Sequence, residues 1–225
     1  ILSGLVGSEM CIRDRFDIAP PDDLEAKAAL LRAELGSRPT FIAASTHMGE
    51  ESLVLNVFTE LRREFPDLLL IIAPRHTHRT PEICTMVTDA DLSFSLRSGD
   101  EPGDVDVFLL DTMGELSYFY AASDVAFIGG SFAAIGGHNF LEAVIARVPV
   151  VMGPHLSSIE DIVAQFVNQK ALCLVDSKEQ FTSTVHQLLL KVEDRDAMVQ
   201  RACDVHKHNA GALESTLDLV LAQLD

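Results

Sequence analysis

The sequence predicts an α/β fold, a Rossmann-like parallel sheet with helices on both faces. Apolar runs of strand length alternate with segments of helical period from residue 40 to about residue 190. One run, LLLIIAP, is apolar throughout, which is typical of a strand that is buried on both faces of a parallel sheet. Regular alternation of this kind implies right-handed crossovers, because parallel neighbours need a long connection.

The first helix is predicted after Pro20 and Pro21, where Asp22 can cap LEAKAALLRAEL and Gly36 can end it. Strands then follow at TFIAAS, LLLIIAP, LSFSLR, VDVFLLD, DVAFIGG, VPVVMGP and ALCLV. Helices lie between them at EESLVLNVFTELRREF, PEICTMVTDA, MGELSYFYAAS, NFLEAVIAR and SSIEDIVAQFVNQ. The chain closes with the helix KEQFTSTVHQLLLKV and a last helical segment from about Asp194 to Leu224, for which Asn209-Ala-Gly211 is a candidate break.

The composition limits the classes of partner. The chain has 225 residues, 48% of them hydrophobic, and a formal net charge of −17. A surface that binds nucleic acid is basic, so we expect no nucleic-acid partner. Four widely spaced cysteines without a C-x-x-C motif indicate reduced thiols in a cytosolic protein. No apolar run reaches transmembrane length.

The first fifteen residues, ILSGLVGSEMCIRDR, differ from the rest of the chain. They show no hydrophobic period, and they resemble translated adapter sequence more than a folded segment. We interpret residues 1–15 as foreign or disordered, and we assign the predicted domain to residues 16–225.

The loops that follow the predicted strands are the candidate ligand sites, because open parallel sheets bind ligands outside the carboxyl ends of their strands. These loops are STHMGE, PRHTHR, DTMGE, GGSFAAIGGHN and MGPH. Four of them contain histidine, but no spacing matches a known metal site, so we predict no metal. Walker A, G-x-G-x-x-G and G-x-S-x-G motifs are absent.

Two of these loops offer donors to an anion. Arg75 emerges where a buried strand ends, and its guanidinium can either clamp a phosphate or form a surface salt bridge. In STHMGEE, backbone N–H groups at the helix start suit an anion. The alternative for STHMGEE is a simple capping turn, in which Glu50 and Glu51 favour the positive end of the helix.

The stretch GGSFAAIGGHNFLEA combines four glycines with a helix start. Asn139 is a candidate N-cap, which places Glu142 at the third helical position, the geometry of a capping box. The glycines need a further explanation, since glycine costs conformational entropy. They indicate either special backbone dihedrals or the close approach of a ligand.

Five motifs in order resemble one family. ASTHMGEE, LLLIIAPRHTHR, DTMGELSYFYAASDVAFIGGS, IGGHNFLEA and PVVMGPH are similar to the C-terminal half of 3-deoxy-D-manno-octulosonic acid (Kdo) transferases. The resemblance runs from about Phe16 to the end of the chain. It implies the C-terminal donor-binding domain of a GT-B glycosyltransferase, so that residues 16–225 form a Rossmann-like nucleotide-sugar-binding domain with C-terminal helices.

The resemblance also implies an activity: inverting, metal-independent transfer of Kdo from CMP-Kdo to a lipid A precursor in lipopolysaccharide biosynthesis. The reaction takes place at the cytoplasmic face of the Gram-negative inner membrane and needs no cofactor. The resemblance implies that the general base and the membrane contact belong to an N-terminal half that is not in this sequence. We therefore expect no transfer by this chain alone.

Residue roles follow from the resemblance, motif by motif. Arg75 is expected to contact the donor phosphate, with His76 beside it, and Glu142 to accept hydrogen bonds from the ribose hydroxyls. Asn139 is expected beside the phosphate. The remaining expected contacts are Met113, Gly114 and Glu115 near cytosine and ribose, Ser45, Thr46 and Gly49 along the cleft, and Gly136 and Gly137 against the nucleotide.

Two alternatives stay open from the sequence. The first alternative to a Kdo transferase is another GT-B or sugar-nucleotide epimerase domain that uses a UDP-sugar. The second is a non-catalytic nucleotide-binding fragment. The uridine enzymes share the strand alternation and a ribose-binding glutamate with the predicted fold, so nucleotide preference separates them from a Kdo transferase.

Overall fold

The computed structural model describes residue 16, residues 18–99 and residues 103–210. Within these residues one sheet contains seven strands: β1 Thr40–Thr46, β2 Leu69–Pro74, β3 Phe94–Leu96, β4 Val107–Leu109, β5 Val125–Ile128, β6 Val150–Met152 and β7 Cys173–Leu174. Their order is β3-β4-β2-β1-β5-β6-β7, and every pair of neighbours is parallel. The predicted parallel sheet is confirmed.

Eight α-helices lie in the described ranges, one before the first strand and the others between or after the strands. They are α1 Leu24–Glu34, α2 Glu50–Leu61, α3 Thr80–Asp89, α4 Leu116–Ala121, α5 Leu141–Ile145, α6 Glu160–Asn168, α7 Lys178–Leu190 and α8 Val192–Asn209. A single turn of 3-10 helix, Thr77–Arg79, precedes α3. None of the helices in the described ranges combines the length and the apolar character needed to cross a bilayer.

Helices cover both faces of the sheet because successive strand residues point to opposite sides. Along β1, Phe41 and Ala43 join the hydrophobic cluster under α2, α3 and α7. Ile42 and Ala44 join the cluster under α1, α4, α5, α6 and α8. All four side chains are completely buried. Strand β1, in the centre of the sheet, therefore has no solvent face.

The two ends of α1 test the predictions made from the sequence. Gly36, with φ +82°, ends α1 as predicted, and its N–H donates to Ala33 O. The predicted cap by Asp22 is wrong. The residue before α1 is Asp23, whose carboxylate caps no backbone N–H. It instead accepts a hydrogen bond from the Tyr118 hydroxyl and pairs with Lys27 one turn on.

The described part of the chain begins with the buried Phe16 and finishes just after α8. The ring of Phe16 is buried and stacks on Phe166, with 6.3 Å between centroids. Only Lys191 separates α7 from α8, so the last helix begins two residues before the predicted Asp194. It ends at Asn209, at the candidate break. The segments assigned to residues 1–15 and to residues 211–224 lie outside the described residues.

The strand order reverses between β1 and β5. Strands β2, β4 and β3 extend from β1 on one side, whereas β6 and β7 extend from β5 on the other. In a doubly wound sheet such a reversal opens a crevice at the carboxyl ends of the two central strands. The loops after β1 and β5 must therefore line the principal candidate site.

Candidate functional site

A buried carboxylate connects the two central loops. Glu50 begins α2 and is 1% exposed. Its Oε2 accepts the N–H groups of His47 at 2.9 Å and Gly130 at 2.8 Å. Its Oε1 accepts those of residues 131–133 at 3.0, 2.9 and 3.1 Å. Five backbone donors thus converge on one side chain, which compensates the cost of burying its charge.

Glu51 is also buried, and it faces a different partner. Its carboxylate forms a salt bridge with Arg79, 2.6 Å from Oε1 to Nη1, and Arg79 also binds Glu82 at the start of α3. Sequence reading had treated Glu50 and Glu51 alike, as acids that favour a helix start. The structure shows instead that each bridges α2 to another part of the chain.

The protein itself accounts for the four glycines after β5. A Cβ on Gly129 would lie 2.4 Å from Ser45 O and 2.8 Å from Glu50 Oε2. Gly130 has φ +69° and lies against the ring of His138. Gly136 and Gly137 have φ +102° and +80°, and their faces meet the segment 156–159. Both left-handed dihedrals and close internal contacts therefore require glycine here, without any ligand.

The predicted capping box is not formed. The residue before α5 is Phe140, which has no side-chain cap, and Glu142 is the second helical residue instead of the third. Asn139 Oδ1 accepts the N–H of Leu141 at 3.1 Å from one position farther out. Glu142 does not reach back to a backbone N–H, and its half-buried carboxylate accepts no hydrogen bond from any described residue.

Arg75 has the exposure and the free donors that were predicted for it. Its backbone N–H donates to Thr46 O at 3.1 Å, which fixes the strand end beside β1. The guanidinium is exposed and has no hydrogen-bond or salt-bridge partner in the described ranges. The alternative of a surface salt bridge therefore finds no support among these residues. His76 is exposed beside it, and its ring lies edge-on to His47 at 5.8 Å.

Two histidines that the sequence reading did not single out meet across the crevice. His47 follows β1 and His138 precedes α5, yet their Nε2 atoms are 2.6 Å apart and their rings stack at 4.9 Å. Burial lowers the pKa of both imidazoles. Arg75 and His76 lower the pKa values further, and Glu50 opposes them. Both histidines lie in candidate loops, but nothing in their spacing, 91 residues apart, predicted the contact.

The remaining predicted residues are spread along the same edge. Thr46 is buried, and its hydroxyl has no hydrogen-bond partner among the described residues. Ser45 with φ +54° and Gly49 with φ +92° turn the chain from β1 into α2. In this way the loops after β1, β2 and β5 meet around the crevice.

The loop after β4 lies farther out, because β2 separates β4 from β1. There Met113 is 79% exposed, and Gly114 has φ +90°. Glu115 binds Arg97 through two oxygens and accepts from Thr112, and the hydrogen bonds from Arg97 lower its pKa. The carboxylate of Glu115 is therefore committed to the protein, unlike that of Glu142.

No group of three or more His, Cys, Asp or Glu side chains that could hold a metal ion is formed in the part of the chain that the structure describes.

The loops at this edge of the sheet offer a guanidinium and a carboxylate without partners among the described residues, a histidine pair, and backbone donors at the start of α5. These groups can bind an anion and hydroxyls in one ligand.

The comparisons with known proteins agree with this architecture. No protein-family model matched the sequence. The crystal structure of the C-terminal CMP-Kdo binding domain of WaaA from Acinetobacter baumannii superposes with a TM-score of 0.76 at 32% identity. The match covers 81% of this chain and 97% of that domain. Fold and match together define the class: this is the C-terminal domain of a GT-B glycosyltransferase.

The sequence relatives narrow the class to a family. The 3-deoxy-D-manno-octulosonic acid transferase of Haemophilus influenzae is 34% identical over 94% of this chain, and that of Bordetella pertussis 35% over 91%. The chain belongs to the Kdo transferase family. It spans about half the length of these two relatives, 50% and 49%. The expected family and fold are thus confirmed.

We predict that Glu50→Gln lowers the free energy of unfolding by about 3 kcal/mol, because a neutral amide would turn an NH₂ group toward buried N–H donors. Urea denaturation measures the loss. Glu60→Gln is the matched control on the same helix, since Glu60 is half-exposed and binds Lys178 and Thr182 at the surface. Equal losses in the two variants would contradict the role given to Glu50.

Proposed function

We propose that this chain is the CMP-Kdo-binding domain of a Kdo transferase. In the whole enzyme it would hold the donor while Kdo passes to a lipid A precursor, at the cytoplasmic face of the inner membrane, in lipopolysaccharide biosynthesis. The observation that carries the proposal is the 32% identity to a CMP-Kdo binding domain that this chain covers almost completely, at 97%. The free Arg75 and Glu142 at the strand reversal support it.

The phosphate is assigned to the region between β2 and α5. Arg75 supplies an unpaired charge, and a guanidinium can make two parallel bonds to phosphate oxygens. The backbone N–H groups of Asn139 and Phe140 have no acceptor among the described residues. The amide NH₂ of Asn139 has no acceptor in the described ranges either, while its oxygen accepts the N–H of Leu141. His76 completes this group beside Arg75.

The nucleoside is assigned to Glu142 and the loop after β4. A carboxylate with two free oxygens suits two ribose hydroxyls, which are donors. Met113 offers an exposed apolar surface to the cytosine ring. Glu115 would act by fixing this loop through Arg97, and Gly114 by giving it its turn. Ser45, Thr46 and Gly49 border the cleft, while Gly136 and Gly137 shape the loop opposite.

The chemistry of transfer agrees with this arrangement. As the bond to Kdo breaks, negative charge grows on the departing CMP phosphate, and positioned donors stabilise it without reorganising. Helix α5 has five residues, so its dipole contributes little, and Arg75 must supply most of the charge. The general base that takes the acceptor proton is assigned to the N-terminal half of the enzyme.

Calorimetric titration tests the proposal. We expect CMP and CDP to bind more tightly than UMP, because the loop after β4 would be shaped for cytosine. The same titration addresses the uridine-using alternatives, which require the opposite order. Equal affinity for cytidine and uridine nucleotides would contradict a CMP-Kdo site.

Arg75→Ala should weaken CMP binding by about tenfold to a hundredfold and leave cytidine binding unchanged, since a charged hydrogen bond contributes about 1.5–3 kcal/mol. Arg63→Ala is the control. Arg63 is also exposed, but it follows α2 at the opposite edge of the sheet. A similar loss for CMP and cytidine would remove the phosphate role of Arg75.

Glu142→Gln should weaken CMP more than 2′-deoxy-CMP, because the variant loses a charged acceptor for the 2′-hydroxyl. The CMP preference of the wild-type protein over 2′-deoxy-CMP should then shrink by about tenfold or more. Glu115→Gln serves as a comparison, since that carboxylate already binds Arg97. If the preference is unchanged in Glu142→Gln, the ribose is held elsewhere.

A further inference from the structure

The His47–His138 contact limits where protons can be. A distance of 2.6 Å between two Nε2 atoms requires one proton between them, since each ring nitrogen is either a donor or an acceptor. Two neutral rings satisfy this condition with one shared proton, and one of their two Nδ1 atoms then stays bare. Adding one proton to that Nδ1 gives a pair with a single positive charge and an intact Nε2 hydrogen bond. Adding a second would break the bond and place two cations in contact.

The surroundings of the pair decide whether it is charged. Arg75 and His76 from the loop after β2 lower the pKa of both rings, and burial acts in the same direction. Glu50 opposes both effects, and Glu51 opposes them at His47. However, the Glu50 carboxylate already accepts five backbone N–H groups. In the free protein near pH 7 the pair is therefore neutral.

An anion beside Arg75 would favour protonation of the histidine pair. It would offset the guanidinium charge that disfavours protonation of both rings, and its own negative charge would attract a proton to the pair. We propose that the His47–His138 pair takes up one shared positive charge, as a single proton from solvent, when a phosphate monoester binds beside Arg75. The inference rests on the proposed function for the place of the phosphate, but not for the identity of the base.

Such an uptake would act on the leaving group of the reaction. The phosphodiester of a CMP-linked sugar carries one negative charge, whereas released CMP is a monoester with about two near pH 7. The added charge appears as the sugar leaves, and the proton taken up by the pair would compensate it. The acceptor hydroxyl loses its own proton to the general base. His47 and His138 would thus compensate the negative charge that grows on the departing CMP phosphate, without touching the reacting atoms.

Calorimetry in several buffers measures the proposal directly. The observed enthalpy is plotted against the ionisation enthalpy of the buffer at pH 7.5, and the slope gives the protons taken up. We expect uptake of a fraction up to about one proton with CMP and none with cytidine, because only CMP brings the phosphate. CMP affinity should also rise as pH falls from 8 to 7, by at most about tenfold for one linked proton.

Two variants assign the proton. His47→Gln and His138→Gln keep a side chain that can hydrogen bond, and both should bind CMP with little or no uptake. His78→Gln is the matched control, because His78 is exposed and, within the described part of the chain, stacks only on His76. It should keep the wild-type uptake. Unchanged uptake in both pair variants would overturn the proposal.

The outcomes separate this inference from the proposed function. Tight CMP binding with no uptake by the wild-type protein would overturn the inference and leave the CMP site standing. UMP binding as tight as CMP, with the same uptake, would refute the cytidine site and support the histidine pair. The comparison of CMP with cytidine uses the wild-type protein alone, so the test remains decisive even if a substitution prevents folding.

Discussion

The buried Glu50 carboxylate is the interaction on which the ligand edge depends. It holds residues 130–133 after β5 against the start of α2, 80 or more residues earlier in the chain. Ser131, one of the residues it holds, extends the connection. The Ser131 hydroxyl accepts the N–H of Gly153 at 2.9 Å, and its carbonyl accepts the N–H of His155 at 2.8 Å. One side chain thereby fixes three loops relative to one another.

This use of Glu50 decides which groups remain for a ligand. The backbone donors of the glycine loop look suited to a phosphate, but an internal anion already occupies them. In the proposed site a phosphate would therefore be recognised at the other end of the loop, where Arg75 and the start of α5 have donors without an acceptor among the described residues. A chain with a net charge of −17 repels anions on average, so such a site needs local positive charge. The guanidinium and the proposed charge on the histidine pair would provide it.

Most of the fold was predictable because it depends on local patterns. Short runs rich in apolar residues predicted all seven strands, and Gly36 and Asn209 predicted helix ends, since each signal lies within a few residues of its effect. The candidate loops followed from the rule that parallel sheets bind ligands at their carboxyl ends. Arg75, Asn139 and Glu142 were identified in this way or by family resemblance, and the structure places Arg75 at the end of β2 and the other two residues at the start of α5.

What could not be predicted depends on contacts between distant residues. Glu50 follows a turn and precedes a helix, so its sequence context explains it as a helix-start acid, and nothing local shows the loop that it binds. The same holds for His47 and His138. The glycines show a related limit of local patterns: their spacing shows that side chains are excluded, but not whether protein or ligand excludes them. The contacts of Gly129 with Ser45 and Glu50 answer that question in favour of the protein.

Glu142 differs from the other acids at this edge because its carboxylate has no hydrogen-bond partner among the described residues. Glu50 and Glu115 are both engaged in hydrogen bonds with the protein. Burying part of a carboxylate without a hydrogen bond costs free energy in the folded protein. Burial raises the pKa of Tyr120, and the nearby Glu142 raises it further. Local rules of stability tend to be broken where binding compensates the cost. Ribose hydroxyls would supply the missing donors, so the cost in the free domain becomes part of the affinity for the nucleotide.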